Sequence, residues 1–247
     1  MKKTAYLTID DAPSPAMGEK VDTLHSQGIP AIWFCLGVHL ESRPQLAIDA
    51  IQKGFVVGNH AYDHAHFSDL SLEACLAQIE CTDKLIDALY RTAGVKRPAK
   101  VFRFPYGDKG GGTYSDSLAP YSPEGRAKKE AIQAFLRDQG HTKPPFEDVT
   151  YAYYQDTRLA EDVDWYWTYD VMEWSIHADQ PMFGIDSLEK VYARMDEDEP
   201  EGGRGLNDPR SAEIVLTHDH PETTDIFALI IERLISKGLS FQPPPLS

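Results

Sequence analysis

The sequence predicts an α/β protein whose parallel strands close, or nearly close, into a barrel. Short β-rich runs alternate with helical patterns, and repeated βα units imply parallel strands joined by right-handed crossovers. Runs such as "AIWF" and "IVL" are apolar without alternation, which suits strands covered on both faces. Polar clusters stand at the C-terminal ends of several strands, where barrel enzymes carry their sites.

The elements follow in order. "TAYLTID" (4–10) reads as a strand, and residues 15–27 read as a helix ended by Gly28. "AIWFCLG" (31–37) is a second strand, 44–53 a helix closed by Gly54, and "FVVGNH" (55–60) a third strand. From Ser71 to about Tyr90, Leu72, Leu76, Ile79, Ile86 and Leu89 fall at helical spacing. "KVFRFPYG" (100–107) reads as a strand, and Ser122-Pro123 opens a helix over 123–139. "DWYWTYDVMEW" (164–174) is strand-like, 187–195 helical, "EIVLTHDH" (213–220) a strand, 223–237 a helix, and "LSFQP" a last short strand. The chain reads as one domain, 1–247, with insertions near 108–122 and 141–163. The first insertion is rich in glycine and serine and is expected to be mobile. The acidic run "MDEDEPEGGRG" (195–205) has no calcium-loop spacing and reads as surface.

Bulk properties narrow the function classes. The 247 residues are 42% hydrophobic and 26% charged, ordinary for a globular chain with a substantial core. A formal net charge of −15 repels nucleic acid and anionic lipid, so no nucleic-acid or membrane partner is expected. No stretch approaches a membrane span. Lys2 and Lys3 imitate the start of a leader, but Asp10 and Asp11 interrupt the apolar run too early, so a cytoplasmic protein is expected, secreted only if a leader has been removed. Cys35, Cys75 and Cys81 form no disulfide pattern and are expected to be buried thiols.

The chemistry begins at "LTIDDAPSP" (7–15), where a strand runs into two adjacent carboxylates, Asp10 and Asp11. Like charges side by side are costly unless a positive charge sits with them. "HAYDH" places His60 and His64 four residues apart after a strand; on a helical turn both would face one ion. It is not the zincin pattern, because Ala61 stands where the general-base glutamate would be. Two imidazoles plus one carboxylate, with open positions left, is a familiar hydrolytic metal site. "FRFPYG" adds Arg103 at a strand end, able to pair with a buried carboxylate, and a turn at Pro105–Gly107 that aims a backbone N–H inward. "LTH" closes another strand with Leu216 and His218.

Taken in order, "TIDD", "HAYDH", "RFPYG", "DVMEW" and "LTH" resemble the five motifs of the polysaccharide deacetylase (NodB-like) family, carbohydrate esterase family four. The resemblance covers essentially the whole chain. It implies a distorted (β/α)7 barrel and hydrolysis of an N-acetyl amide on an amino-sugar oligo- or polysaccharide. It also implies a divalent metal, Zn2+ first, with Co2+ or Mn2+ as substitutes. It assigns Asp11, His60 and His64 as metal ligands, Asp10 as general base, Arg103 as its partner and His218 as the acid. It places the Tyr106 N–H at the oxyanion and Trp174 and Leu216 as walls of an acetyl pocket. One position departs from the pattern: Glu173 stands where the family has aspartate, so either Glu173 or Asp170 would orient His218. Two other readings remain at this level: an amide hydrolase of the same barrel acting on a ureide, cyclic imide or formamide, and a non-catalytic sugar-binding protein. Retention of all three ligand positions, Asp10 and His218 favours the deacetylase.

Overall fold

The computed structural model describes residues 2–111, 121–155, 158–198 and 205–246. Its axis is β1 (Lys3–Ala12), buried along most of its length. β1 pairs in parallel with β2 (Ala31–Cys35) on one side and β5 (Glu213–His218) on the other, and β3 (Val56–Asn59) and β4 (Tyr169–Asp170) extend the sheet to the order β3-β2-β1-β5-β4. Ala5 pairs with both Glu213 and Phe241, so β6 (Leu239–Phe241) lies on the β2 side of β1, below β2. Hydrogen bonds beyond these strands complete the ring. Asn59 bridges to Phe102, the Trp165 N–H donates to the Phe102 carbonyl (2.8 Å), and the Thr168 N–H donates to the Ile214 carbonyl (2.9 Å). The sheet is thereby closed into a distorted barrel.

Helices cover the outside. They are α1 (Met17–Ser26), α2 (Gly37–Ser42), α3 (Pro44–Gln52), α4 (Leu72–Ala93), α5 (Pro123–Asp138), α6 (Ala152–Gln155), α7 (Arg158–Glu161), α8 (Leu188–Asp196) and α9 (Thr224–Ser236). Their ends follow local chemistry. Ser71 Oγ accepts the Ala74 N–H at the start of α4, and Gly94, at φ 71°, closes it in the left-handed region. Ser122 caps α5 in the same way, with Pro123 in its first turn.

Strand alternation separates two cores. Leu7, Ile9, Trp33, Val57 and Val215 face outward and pack on Val21, Leu24, Ile48, Ile51, Ile86, Ile230 and Leu234 of the helices. Tyr6, Ile32, Phe34, Val101 and Ile214 face inward with Phe146 and Trp165. Gly58 is required within the inner core, since a Cβ there would stand 2.7 Å from Val101 and 2.8 Å from Phe34. The alternation also fixes the site. Tyr6, Thr8 and Asp10 share the inward face of β1, and the register pairs Thr8 with Leu216 and Asp10 with His218. Asp10 and His218 therefore stand together at the carboxyl end of the barrel.

Several expectations are corrected. Residues 100–107 form isolated bridges at Lys100 and Phe102, not a strand, because Pro105 has no N–H for a ladder and Pro105–Gly107 curls into a 3-10 turn. Of 164–174, only Tyr169–Asp170 is strand; its neighbours divide their hydrogen bonds between Phe102 and Ile214, and Glu173–His177 is a 3-10 turn. α2, α6 and α7 were not expected; they are too short to show a period. The insertion at 141–163 carries α6 and α7 and packs Phe146, Val149, Tyr154 and Leu159 against the inner core. Most of the expected mobile loop at 108–122, and residues 199–204 of the acidic run, lie outside the described residues. Cys35 and Cys75 are buried as expected, but Cys81 is exposed. Among the described residues no helix is long and apolar enough to cross a membrane.

Candidate active site

A strand sends neighbouring side chains to opposite faces, so Asp10 and Asp11 should diverge. They do not, because the register of β1 against β2 shifts between Ile9 and Ala12, a bulge, and Asp11 sits in it at φ 66°. A bulge re-aims a side chain, and left-handed backbone at a non-glycine residue costs on the order of 1–3 kcal/mol, which clusters at functional sites. Here it turns Asp11 back towards the mouth that Asp10 already faces.

His60 follows β3 directly. His64 reaches the same place without the helical turn expected from the spacing: Ala61 and His64 both have φ of 64°, and the segment is a loop. Its shape is set by residues that motif spacing does not flag. Asn59 Oδ1 accepts the Ala61 N–H (2.8 Å) while its Nδ2 donates to the Ile79 carbonyl of α4 (2.9 Å). Gln78 Oε1 accepts the N–H groups of Tyr62 (2.7 Å) and Asp63 (3.2 Å).

The three expected ligands converge. Asp11 Oδ1 lies 3.1 Å from Nε2 of His64 and 3.5 Å from Nε2 of His60, and the three residues form a candidate metal-binding group. His60 Nδ1 donates to the Arg103 carbonyl at 2.9 Å, which leaves a lone pair on Nε2 in the neutral ring. Asp11 Oδ1 is buried and has no hydrogen-bond donor among the described residues. Electron-rich atoms thus face one another, an arrangement a divalent cation satisfies. The titration of the groups agrees. Burial would raise the Asp11 pKa, but the adjoining imidazoles of His220, His60 and His64 hold it well below the usual carboxylate range. Burial would lower His60, but Asp10 and Asp11 raise it; a field that draws a proton also draws a metal.

Arg103 is buried beneath this group. Its Nη1 donates to Asp10 Oδ1 (2.8 Å) and to Thr8 Oγ1 (2.7 Å), and its Nε to the Trp165 carbonyl (3.0 Å). The guanidinium lies 4.5 Å from the centre of the Phe34 ring. Asp10 Oδ2 in turn stands 3.6 Å from His60 Nε2, so base and ligand candidates adjoin.

At the end of the neighbouring strand β5, His218 has its Nδ1 3.3 Å from Glu173 Oε1, which also accepts the His218 backbone N–H. Asp170 is held elsewhere: its Oδ1 accepts the Met172 N–H (2.8 Å) and its Oδ2 faces the Trp174 indole N–H (3.4 Å). Of the two candidates, Glu173 therefore contacts the histidine ring directly. Burial would lower the His218 pKa, but the Glu173 hydrogen bond and charge, with Asp170, push it up to about 10. Burial raises the Asp170 pKa. Trp174 meets His218 edge to face at 6.1 Å, and Leu216 is buried beside Thr8 on the inward face below. Tyr106, at φ 58°, is 44% exposed at the rim, and its ring stacks on His66 at 3.9 Å. Its N–H has no acceptor among the described residues.

Residues 1–120 match the family model described as polysaccharide deacetylase. The matched stretch, just under half of the chain, carries Asp10, Asp11, His60, His64 and Arg103. Among its relatives, the peptidoglycan-N-acetylmuramic acid deacetylase of Bacillus subtilis is 33% identical over 100 residues, 39% of this chain and 21% of that protein. The chitooligosaccharide deacetylase of Rhizobium leguminosarum is 33% identical over 85 residues, 34% of this chain and 40% of that protein. The aligned stretches thus span well under two thirds of these relatives. In fold, the chain matches a family 4 carbohydrate esterase from Streptomyces lividans, solved in complex with acetate, with a TM-score of 0.62 at 21% identity over 98% of this chain and 92% of that one.

The site also contains a residue that motif reading passed over. His220, two residues beyond His218, places Nε2 2.8 Å from Asp11 Oδ2. Its signal was a second histidine after the "LTH" strand end.

Proposed function

We propose that this protein is a metal-dependent hydrolase that removes N-acetyl groups from an amino-sugar oligo- or polysaccharide, with Zn2+ held by Asp11, His60 and His64. The observation that carries the reading is the convergence of those three donors beside an Arg103-paired Asp10, which pairs in register with a glutamate-bound His218. The names of the relatives, peptidoglycan and chitooligosaccharide deacetylases, support an amino-sugar substrate.

When bound, the ion would polarise the amide carbonyl and acidify water. The chain supplies the rest. Asp10 is the general base that takes the proton from water, oriented by the Arg103 guanidinium and set beside the ligands. The Tyr106 N–H is free to meet the oxyanion that develops on the carbonyl oxygen. His218, with its Nδ1 engaged by Glu173, presents Nε2 and a proton to the departing amine. Its raised pKa keeps the ring in the form that can donate. Trp174 and Leu216 bound the acetyl methyl. Substrate class is decided by an acetate-release screen over chitooligosaccharides, peptidoglycan fragments, acetylxylan and simple ureides. Release from the N-acetylated saccharides is expected; turnover confined to the ureides would contradict the reading.

A further inference from the structure

The two oxygens of Asp11 have different neighbours. Oδ1 faces the Nε2 atoms of His64 and His60, whereas Oδ2 lies 2.8 Å from Nε2 of His220. An ionised carboxylate only accepts, so His220 donates through Nε2–H.

The backbone that carries His220 is anchored on several sides. Lys20 of α1, itself buried, donates Nζ to the His220 carbonyl at 2.8 Å, and Thr223 donates its N–H (3.2 Å) and hydroxyl (3.0 Å) to the same oxygen. The neighbouring Asp219 accepts from the N–H (2.7 Å) and hydroxyl (2.9 Å) of Ser14, and its own N–H donates to the Asp10 carbonyl (2.8 Å). The loop that follows β5 is thus stitched to the loop that follows β1. On its other side Asp11 is held through its carbonyl, which His39 Nδ1 approaches at 2.9 Å.

We infer that His220 is a positioning residue of the cation site: it occupies Asp11 Oδ2, so that the carboxylate meets the ion through Oδ1 alone. A carboxylate with both oxygens free can chelate, which takes two coordination positions. A hydrolytic site needs positions left open for water and carbonyl, and one-oxygen ligation preserves them. The hydrogen bond also holds Asp11 in rotation, so Oδ1 needs little reorganisation to bind. Partners of this kind, one bond out from a metal ligand, typically contribute 10- to 100-fold in metal affinity. The inference rests on reading Asp11, His60 and His64 as the cation site.

The test uses the full chain and needs no substrate. His220→Ala removes the donor, and His220→Asn is too short to reach Asp11; either serves if the other fails to fold. His220→Gln keeps an amide donor near the position of Nε2. Zn2+ affinity is measured by competition with a chromophoric chelator, and coordination by the visible spectrum of the Co2+-loaded protein. Circular dichroism of the chelated variants checks folding. Loss of the donor should weaken Zn2+ binding about 10- to 100-fold and change the Co2+ spectrum, and Gln should restore most of both. Affinity within twofold of wild type with an unchanged spectrum would overturn the inference, as would a Gln variant as weak as Ala or Asn. A wild-type protein that binds neither ion would overturn the cation site and this inference with it. A protein that binds both ions but releases no acetate would contradict the proposed reaction only.

Discussion

Asp10 and Asp11 stand side by side in the chain yet make different contacts, and that difference is testable. Asp11→Ala should lose the metal, because two imidazoles alone hold it weakly. Asp10→Asn should keep the metal while turnover falls about 10²-fold or more, since what is removed is proton transfer. Metal content and acetate release on both variants decide it; an Asp10→Asn protein without metal, or an Asp11→Ala protein with metal and normal turnover, would refute the division of roles. The identity of these residues was legible in the sequence because two adjacent carboxylates after an apolar strand need a positive charge. How both reach one cavity was not legible. Strand alternation sends neighbours apart, and the bulge that overrides it at Asp11, φ 66°, has no local sequence marker such as glycine. His64 shows the same limit: the spacing from His60 was informative, but loop residues at positive φ, pinned by Asn59 and Gln78, replaced the expected helical turn.

At the scale of elements, α4 does more than cover the barrel. Its Asp83 accepts from Arg97 (3.0 Å) and Lys100 (3.0 Å), faces His141 (3.4 Å) and approaches Asn59 (3.3 Å), tying the helix to the chain that carries Arg103. Burial would raise its pKa, but His141, Arg97 and Lys100 hold it well below the usual value of 3.8. Its stabilising contribution is therefore complete above about pH 4 and is lost as the pH falls through the lowered folded-state value. Urea unfolding from pH 5 to 2 should show wild-type stability falling more steeply than that of Asp83→Asn, while the variant is weaker at pH 7 by about 1.5–3 kcal/mol because the part-buried Arg97 and Lys100 lose a charged acceptor. Parallel curves would show that Asp83 is not a main source of acid sensitivity. The same helix predicts thiol reactivity. Cys75 is buried, with its pKa pushed up to about 11, and burial raises Cys35 well above its ordinary value, whereas Cys81 is exposed. A thiol reagent should modify one cysteine in the native protein and three after denaturation; native labelling of Cys35 or Cys75 would contradict the packing. The long elements were readable because period and caps agree, as in Ser71 to Gly94. The segments 100–107 and 164–174 were not, because their apolar and aromatic residues fill the inner core while their backbones bond irregularly to close the ring.

For the whole molecule, the closed sheet makes the site and the fold one system, since Asp10 and Asp11 lie near the end of β1, His60 and His64 follow β3, and Arg103 follows the bridge at Phe102. A ligand that binds the native state alone stabilises it by about 2.7 kcal/mol at a hundredfold excess over Kd. For a chain of this size that corresponds to a rise in Tm of roughly 5–10 °C, at 2–4 °C per kcal/mol. Zn2+ should produce this rise in the wild-type protein and little of it in Asp11→Ala; equal shifts in both would place the ion elsewhere. The barrel itself could be anticipated from alternating βα units and doubly buried strands, but its closure through Trp165 and Thr168 depends on contacts far apart in the chain. The most direct test of the central claim is acetate release from N-acetylglucosamine oligomers, measured with metal content on one preparation before chelation, after it, and after Zn2+ is restored. The structure predicts that release disappears with the metal and returns in proportion to Zn2+ bound, towards one ion per chain. Undiminished release from the metal-free protein would contradict it.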